Sequence, residues 1–216
     1  MHPLSAPFNA SVSRYFTFAR TGAGNRVWKA VTCPSSGFNV IACANDGFIY
    51  RSIYGNEWEK RTGTGVGYIY SVACSWDGLK IFMCVNNGYL YTSTDGGSTC
   101  VQRGLYKDWR GIACSDDGSI IFACAYGGYI YRSADGGATW VELTTFGSGG
   151  WCSVSCSSDG TRIVACRYGG SIYTSTDGGL TCLQRVIDGE RTKRASAAQE
   201  AQRRRVIVNL GSYCIG

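Results

Sequence analysis

From residue 28 to residue 188 the chain is a succession of short alternating apolar runs, each closed by a glycine-bearing turn. Trp109 to Cys114 alternates, and Ser115-Asp-Asp-Gly118 then turns the chain. Ile120 to Ala125 is a nearly continuous apolar run, followed by the turn Tyr126-Gly-Gly128. Tyr129 to Ser133 and Thr139 to Leu143 flank a third turn at Asp135-Gly-Gly137. Alternation of period two between such turns predicts four strands joined by hairpins. Asn45-Asp-Gly47 and Asn86-Asn-Gly88 carry the Asn/Asp-Gly chemistry of a type I′ turn.

The same four-strand string starts at Trp28, Ile69, Trp109 and Trp151. Cys33, Cys74, Cys114 and Cys156 mark it at intervals of 41, 40 and 42 residues, and Cys43, Cys84, Cys124 and Cys166 keep the same intervals. A period of about 40–45 residues with four strands is one propeller blade. The predicted fold is therefore all-β: a small β-propeller of four four-stranded blades, or five if the termini contribute. Residues 28–189 form the propeller repeats. Residues 1–27 hold an alternating segment, Arg14 to Arg20, that suits a ring-closing strand. Residues 190–216 form a basic tail with a predicted helix over Glu190 to Arg205 and a short final strand. An open array that closes only by self-association is the alternative to a small ring.

One octet recurs at blade period: Ser93 to Cys100, Ser133 to Trp140 and Ser175 to Cys182, with a decayed copy at Ser52 to Trp58. Its pattern, Ser/Thr-x-Asp-x-Gly-x-Thr-Trp/Phe, resembles the Asp-box or BNR repeat. The chain is thus similar to the Asp-box β-propellers, which include sialidases, certain glycoside hydrolases, sortilin-type receptors and photosystem II assembly factors. The resemblance implies that each box is a structural turn between third and fourth strands. Asp95, Asp135 and Asp177 would accept backbone N–H groups, Ser93, Ser133 and Ser175 would start the turns, and Gly97, Gly137 and Gly179 belong to the same boxes. Trp140 would pack between blades, whereas Cys100 and Cys182 depart from the aromatic position.

Composition fits this picture. Thirty glycines and three prolines in 216 residues suit many tight turns. The net charge of +6 sits at the ends, since residues 30–189 hold 11 basic and 13 acidic side chains. A nucleic-acid face would need that charge on the folded body, so nucleic acid is not the expected partner. No apolar run approaches the 18 or so residues of a membrane span. The N-terminus lacks a secretory h-region and is acid-free with Arg and Ser, which points to a cytoplasmic or organellar protein.

Candidate chemistry is sparse. Asp77, Asp117 and Asp159 repeat in one turn and Asp95, Asp135 and Asp177 in another, so they cannot share one catalytic centre. Their spacing lacks the ligand pattern of a calcium loop, and no metal or cofactor is expected. A sialidase needs an Arg-Ile-Pro segment, and the only Arg-Ile, Arg162-Ile163, is followed by valine. The single histidine, His2, leaves histidine acid–base chemistry without a candidate. Twelve cysteines admit two readings. A disulfide between first and second strands of each blade is one; buried reduced thiols are the other, favoured without a secretion signal.

The remaining lead is the loop end opposite the boxes. It carries Asn45, Asn86, Tyr106, Lys107, Asp108, Tyr126, Arg167 and Tyr168 as binding candidates, while Trp28, Trp109 and Trp151 read as repeat-position core. Exposed rings beside amides and charges suit a protein or a glycan. The expected function is a non-enzymatic binding or assembly scaffold with a protein partner; a lectin-like glycan-binding module is the alternative, and a sialidase-like hydrolase the third reading.

Overall fold

The computed structural model describes residues 26–34, 37, 39–53 and 57–185. Within them the chain is all-β and folds as four consecutive antiparallel blades of a β-propeller. Blade 1 is β1 (Trp28–Thr32), β2 (Asn39–Ala44), β3 (Ile49–Ile53) and β4 (Glu57–Arg61). Blade 2 is β5 (Ile69–Cys74), β6 (Ile81–Val85), β7 (Gly88–Ser93) and β8 (Val101–Lys107). Blade 3 is β9 (Trp109–Cys114), β10 (Ile121–Gly128), β11 (Ile130–Ser133) and β12 (Val141–Leu143). Blade 4 is β13 (Gly149–Cys156), β14 (Ile163–Arg167), β15 (Ile172–Ser175) and β16 (Leu183–Arg185). The first strands β1, β5, β9 and β13 lie side by side in that order and form the inner wall. The segment Arg14 to Arg20, the basic tail and any fifth-blade strand lie outside the described residues.

Period-two alternation gives each blade two apolar faces, and consecutive blades bury them against each other. Met83, Ile81 and Val72 of blade 2 pack on Ile41, Cys43 and Ile49 of blade 1. Phe82, Cys84 and Leu90 pack on Trp109, Ile112 and Tyr131 of blade 3. Phe122, Cys124 and Ile130 pack on Trp151, Val154 and Ile163 of blade 4. Three cores thus join the four blades.

One turn departs from the sequence reading. Tyr126-Gly-Gly128 extends β10 and pairs with the next blade, Tyr126 opposite Gly150 and Gly128 opposite Gly149. Gly127 turns the backbone there at a φ of +71°, and the glycines on both sides admit the close approach.

Each octet is a hydrogen-bonded staple. In blade 3 the Ser133 hydroxyl donates to Asp135 at 2.8 Å and accepts from the Gly137 N–H at 2.8 Å. The Asp135 carboxylate also accepts from the Thr139 N–H at 2.9 Å and from its hydroxyl at 2.6 Å. Blades 2 and 4 repeat these bonds around Ser93 and Asp95, and around Ser175 and Asp177. A second staple closes the turn between first and second strands, where Ser75, Ser115 and Ser157 donate to Asp77, Asp117 and Asp159. The two staples of one blade are joined by Gly96, Gly136 and Gly178 N–H bonds to the carbonyls of Leu79, Ser119 and Thr161. Trp140 closes its box with an indole N–H to the Gly137 carbonyl and packs at the blade 2–3 core. Cys100 and Cys182, in the aromatic's place, pack at the first and third cores.

These donors pull the carboxyls down. The Thr139 hydroxyl and N–H hold Asp135 at about 2, and the Thr181 pair does the same for Asp177. The Thr99 N–H and hydroxyl act likewise on Asp95, Ser115 on Asp117 and Ser157 on Asp159, each at about 2. An unfolded aspartate titrates near about 3.9, so between those values the unfolded chain binds more protons than the folded one. Stability is therefore fully present above the unfolded value and falls as the pH drops toward the folded one. The thermal midpoint should decline steeply from about pH 4 to about pH 2, and the decline should be shallower in Asp135→Asn. A midpoint flat across that window would contradict the staple reading.

The cysteines divide by strand. Cys74, Cys114 and Cys156 end the inner strands, whereas Cys43, Cys84 and Cys124 are buried in the blade–blade cores. Register keeps the proposed pairs apart: Cys114 lies opposite Ile121 and Cys124 opposite Gly111. Cys74 and Cys84 lie opposite Ile81 and Ser71 in the same way. The strand-bridging disulfide is corrected on this ground, because ten-residue spacing across this hairpin puts the two sulfurs three positions out of register.

Candidate functional site

Every inner strand carries a β-bulge at the same place. Pairing skips Lys29 between Trp28 and Ala30, Tyr70 between Ile69 and Ser71, and Arg110 between Trp109 and Gly111. In blade 4 it skips Cys152 between Trp151 and Ser153. A bulge inserts one unpaired residue and re-aims its side chain, which makes it a recurrent device beside functional sites. The flanking positions repeat as core residues, yet the bulged position differs in all four blades. All four lie at the end of the blades away from the octets.

Arg110 is the centre of this rim. Its guanidinium donates to Asp108 at 2.7 Å and lies 4.9 Å from the Tyr70 ring centre and 5.4 Å from that of Tyr126. The other Asp108 oxygen accepts from the Asn86 side-chain amide at 2.9 Å, and the Asp108 carbonyl accepts from the Tyr126 N–H. An arginine held between two rings by a carboxylate is pre-oriented and keeps its charge. The Tyr126 ring beside it is half exposed. In blade 1 Lys29 lies over the Tyr68 ring at 5.0 Å.

The structure therefore brings together Asn86, Asp108 and Tyr126 among the sequence candidates. Lys107 lies over the Tyr131 ring at 5.2 Å, and Tyr106 packs edge-on against Tyr89 on the outermost strand β8. Asn45 stands in the blade 1 turn, where its N–H bonds the Val27 carbonyl. Tyr168 is exposed in the blade 4 turn. Arg167, a further candidate, donates to the Phe146 carbonyl at 2.6 Å and lies 4.3 Å from the Trp151 ring centre. It anchors the blade 3–4 connection. Arg110 and Tyr70 were missed. Aligning the four copies and asking where the core pattern breaks would have found them.

Cys152 has a close neighbour. Its sulfur lies 3.4 Å from that of Cys166 on the adjacent strand. The Cys152 thiol bonded to it holds Cys166 below the ordinary thiol range, at about 7, against burial that raises it. Thiolate character and proximity select a cysteine for oxidation. With diamide, the Cys152–Cys166 disulfide is expected to form before any other, read by peptide mapping; an earlier link between other cysteines would contradict this.

The octet end is not blank. A cavity of about 170 Å³ lies where the inner strands end, lined by Cys33, Cys74, Cys114 and Cys156 with Asp116 and Ser155. Burial pushes Cys74 and Cys156 up to about 12 and Cys114 well above its ordinary value. Burial thus favours the protonated form of these thiols at neutral pH. Among the described residues no group of three His, Cys, Asp or Glu side chains is placed to hold a metal ion, and no helix is long and apolar enough to cross a membrane.

No family model matches the chain, and no curated protein matches it in sequence. Solved structures do match in fold. The WD40 repeats of RRP9 align with a TM-score of 0.63 at 11% identity, over 74% of this chain and 51% of that one. The GH74 xyloglucanase of Xanthomonas campestris aligns with a TM-score of 0.62 at 16% identity, over 76% of this chain and 31% of the other. YCF48 from Cyanidioschyzon merolae aligns with a TM-score of 0.58 at 17% identity, over 77% and 58%. The chain spans between about a third and somewhat over half of these structures. The likeness establishes the β-propeller fold, which enzymes and non-enzymes share.

Proposed function

We propose that this chain is a non-enzymatic binding or assembly scaffold whose bulge rim docks a protein partner. The observation that carries this is the variable bulge position, with Arg110 fixed between Asp108, Tyr70 and Tyr126 at the loop end. Arginine beside exposed tyrosine is the composition of an interaction hot spot. The WD40 and YCF48 likenesses support a propeller scaffold, and the Asp-box resemblance, photosystem II assembly factors included, points the same way. Affinity capture should recover a common partner with the wild type and with Tyr106→Ala. Tyr126→Ala combined with Tyr168→Ala, or Arg110→Glu alone, should lose it. Retention of that partner by both rim variants would overturn the reading.

A glycan ligand is the second reading, favoured by the half-exposed Tyr126 ring next to the Asn86 amide. A glycan array without hits would remove it. A hydrolase is the third, suggested by the GH74 likeness. Against it, Asp108 has both oxygens taken by Asn86 and Arg110, and the repeated aspartates are held in staples. Absence of turnover on a xyloglucan and a sialoside would dispose of it. A second copy of the chain is a further partner that the propeller admits.

A further inference from the structure

The four blades leave two blade faces without a neighbour among the described residues, and the repeat shows what each face is built to meet. The front face of a blade presents to the blade before it the inner-strand residue that precedes the bulge and, counting that residue as the first, the fourth. In blades 3 and 4 the first of these, Trp109 and Trp151, are 1% and 0% exposed, but in blade 1 Trp28 is 36% exposed. At the fourth position Val72, Ile112 and Val154 are buried, whereas Val31 is 53% exposed. The rear face tells the same story at the other end. Ile41, Phe82 and Phe122 are buried by the following blade, and their counterpart Val164 is 40% exposed. Cys166 and Ile172 are likewise only half-buried, although Cys124 and Ile130 are fully enclosed.

We propose that two copies of this chain associate head to tail, the rear face of blade 4 on each seating against the front face of blade 1 on the other. The complementarity is already on display three times, since each internal core is a rear face packed on a front face. The free pair repeats that chemistry, with Val164 and Ile172 offered to Trp28 and Val31. The four blades of one copy superpose on 51% of the RRP9 WD40 chain, and a second copy would add an arc of the same size. A front-to-rear contact made twice about a twofold axis closes on itself. This contact uses blade faces and leaves the bulge rim free, so it stands apart from the scaffold reading.

Sedimentation velocity of the full chain from about 1 to about 100 μM tests the proposal, since association is read as a concentration-dependent mass. The expected result is a species of twice the monomer mass. Val31→Asp and Val164→Lys should each lose it, because each spoils both contacts of the pair. Their equimolar mixture should restore it, with one native contact and one Asp–Lys contact. Far-ultraviolet circular dichroism of each variant matching the wild type shows that the blades are folded, and Trp28→Ala offers a second front-face variant without added charge. A wild type that stays monomeric throughout overturns the proposal. A dimer lost in only one of the two charge variants indicates a like-to-like contact and overturns it too. Species larger than the dimer mean that the contact does not close, and overturn the two-copy ring.

Discussion

Trp109→Ala is expected to destabilise the protein by about 3–5 kcal/mol, the usual cost of removing a large aromatic from a closed core. The indole is buried between blades 2 and 3, where Ala73, Leu90 and Ile112 belong to the same cluster. Its ring meets Tyr131 edge-on at 5.2 Å, and its N–H donates to the Leu105 carbonyl at 3.1 Å. The substitution therefore opens a cavity and leaves a carbonyl without its donor. Trp28→Ala is the internal comparison. Trp28 meets Tyr50 at 5.2 Å in the same edge-on way, yet no preceding blade covers it among the described residues. In the dissociated single chain its loss should cost only about 1 kcal/mol, the ordinary scale for a partly exposed position. Urea denaturation of both variants measures the difference, and equal costs would show that the two positions are not distinguished by the neighbouring blade.

Gly63→Ala should be comparably severe, at about 3 kcal/mol or more, at the upper end of overpacking costs. Gly63 lies in the connection leaving blade 1, and a Cβ there would overlap the Ser98 carbonyl oxygen of the blade 2 octet. Backbone, not a movable side chain, blocks the space, so the two blades must part. The same connection is anchored by buried Thr64, whose hydroxyl donates to the Arg61 carbonyl and accepts from the Ile49 N–H. Gly169→Ala separates steric exclusion from backbone strain. Gly169 has a φ of +61° with open space around its Cβ position, so alanine there should cost only about 1 kcal/mol. A Gly63→Ala variant as stable as Gly169→Ala would refute the contact.

Gly63 and Ser98 also change the meaning of the octet. From its residues alone the octet reads as a fastener between third and fourth strands. In the structure it also seats on the preceding blade: a Cβ on Gly97 would meet the Ile49 and Arg61 side chains, and one on Gly179 would meet Leu143. Thr145 adds a bond from the blade 3–4 connection to the Gly179 carbonyl at 2.8 Å. The glycines serve the turn and the close approach of neighbouring blades together.

The blade count over residues 28–185, the strand order and most turn positions were legible in the chain because they follow from local periodicity. Alternation assigns faces, Gly-bearing turns end strands, and a spacing near 41 residues repeats the unit. The octet turns recur visibly in the chain and their bonding role was implied by the Asp-box resemblance, whereas the Ser75, Ser115 and Ser157 staples came from the structure. What joins distant positions was not legible. Whether Trp28 is core depends on a neighbouring blade, and Trp28 and Trp109 are the same letter in the same place of the repeat. The sulfurs of Cys114 and Cys124 share a hairpin, but only the register, with Cys114 opposite Ile121 and Cys124 opposite Gly111, decides that they part. The bulge at Arg110 brings it beside Asp108, Tyr70 and Tyr126, residues from two blades that meet because the inner strands lie side by side. Short-range pattern thus determined the unit, while the packing of one unit on the next decided which copies of a residue are buried, which are exposed and which converge on a site.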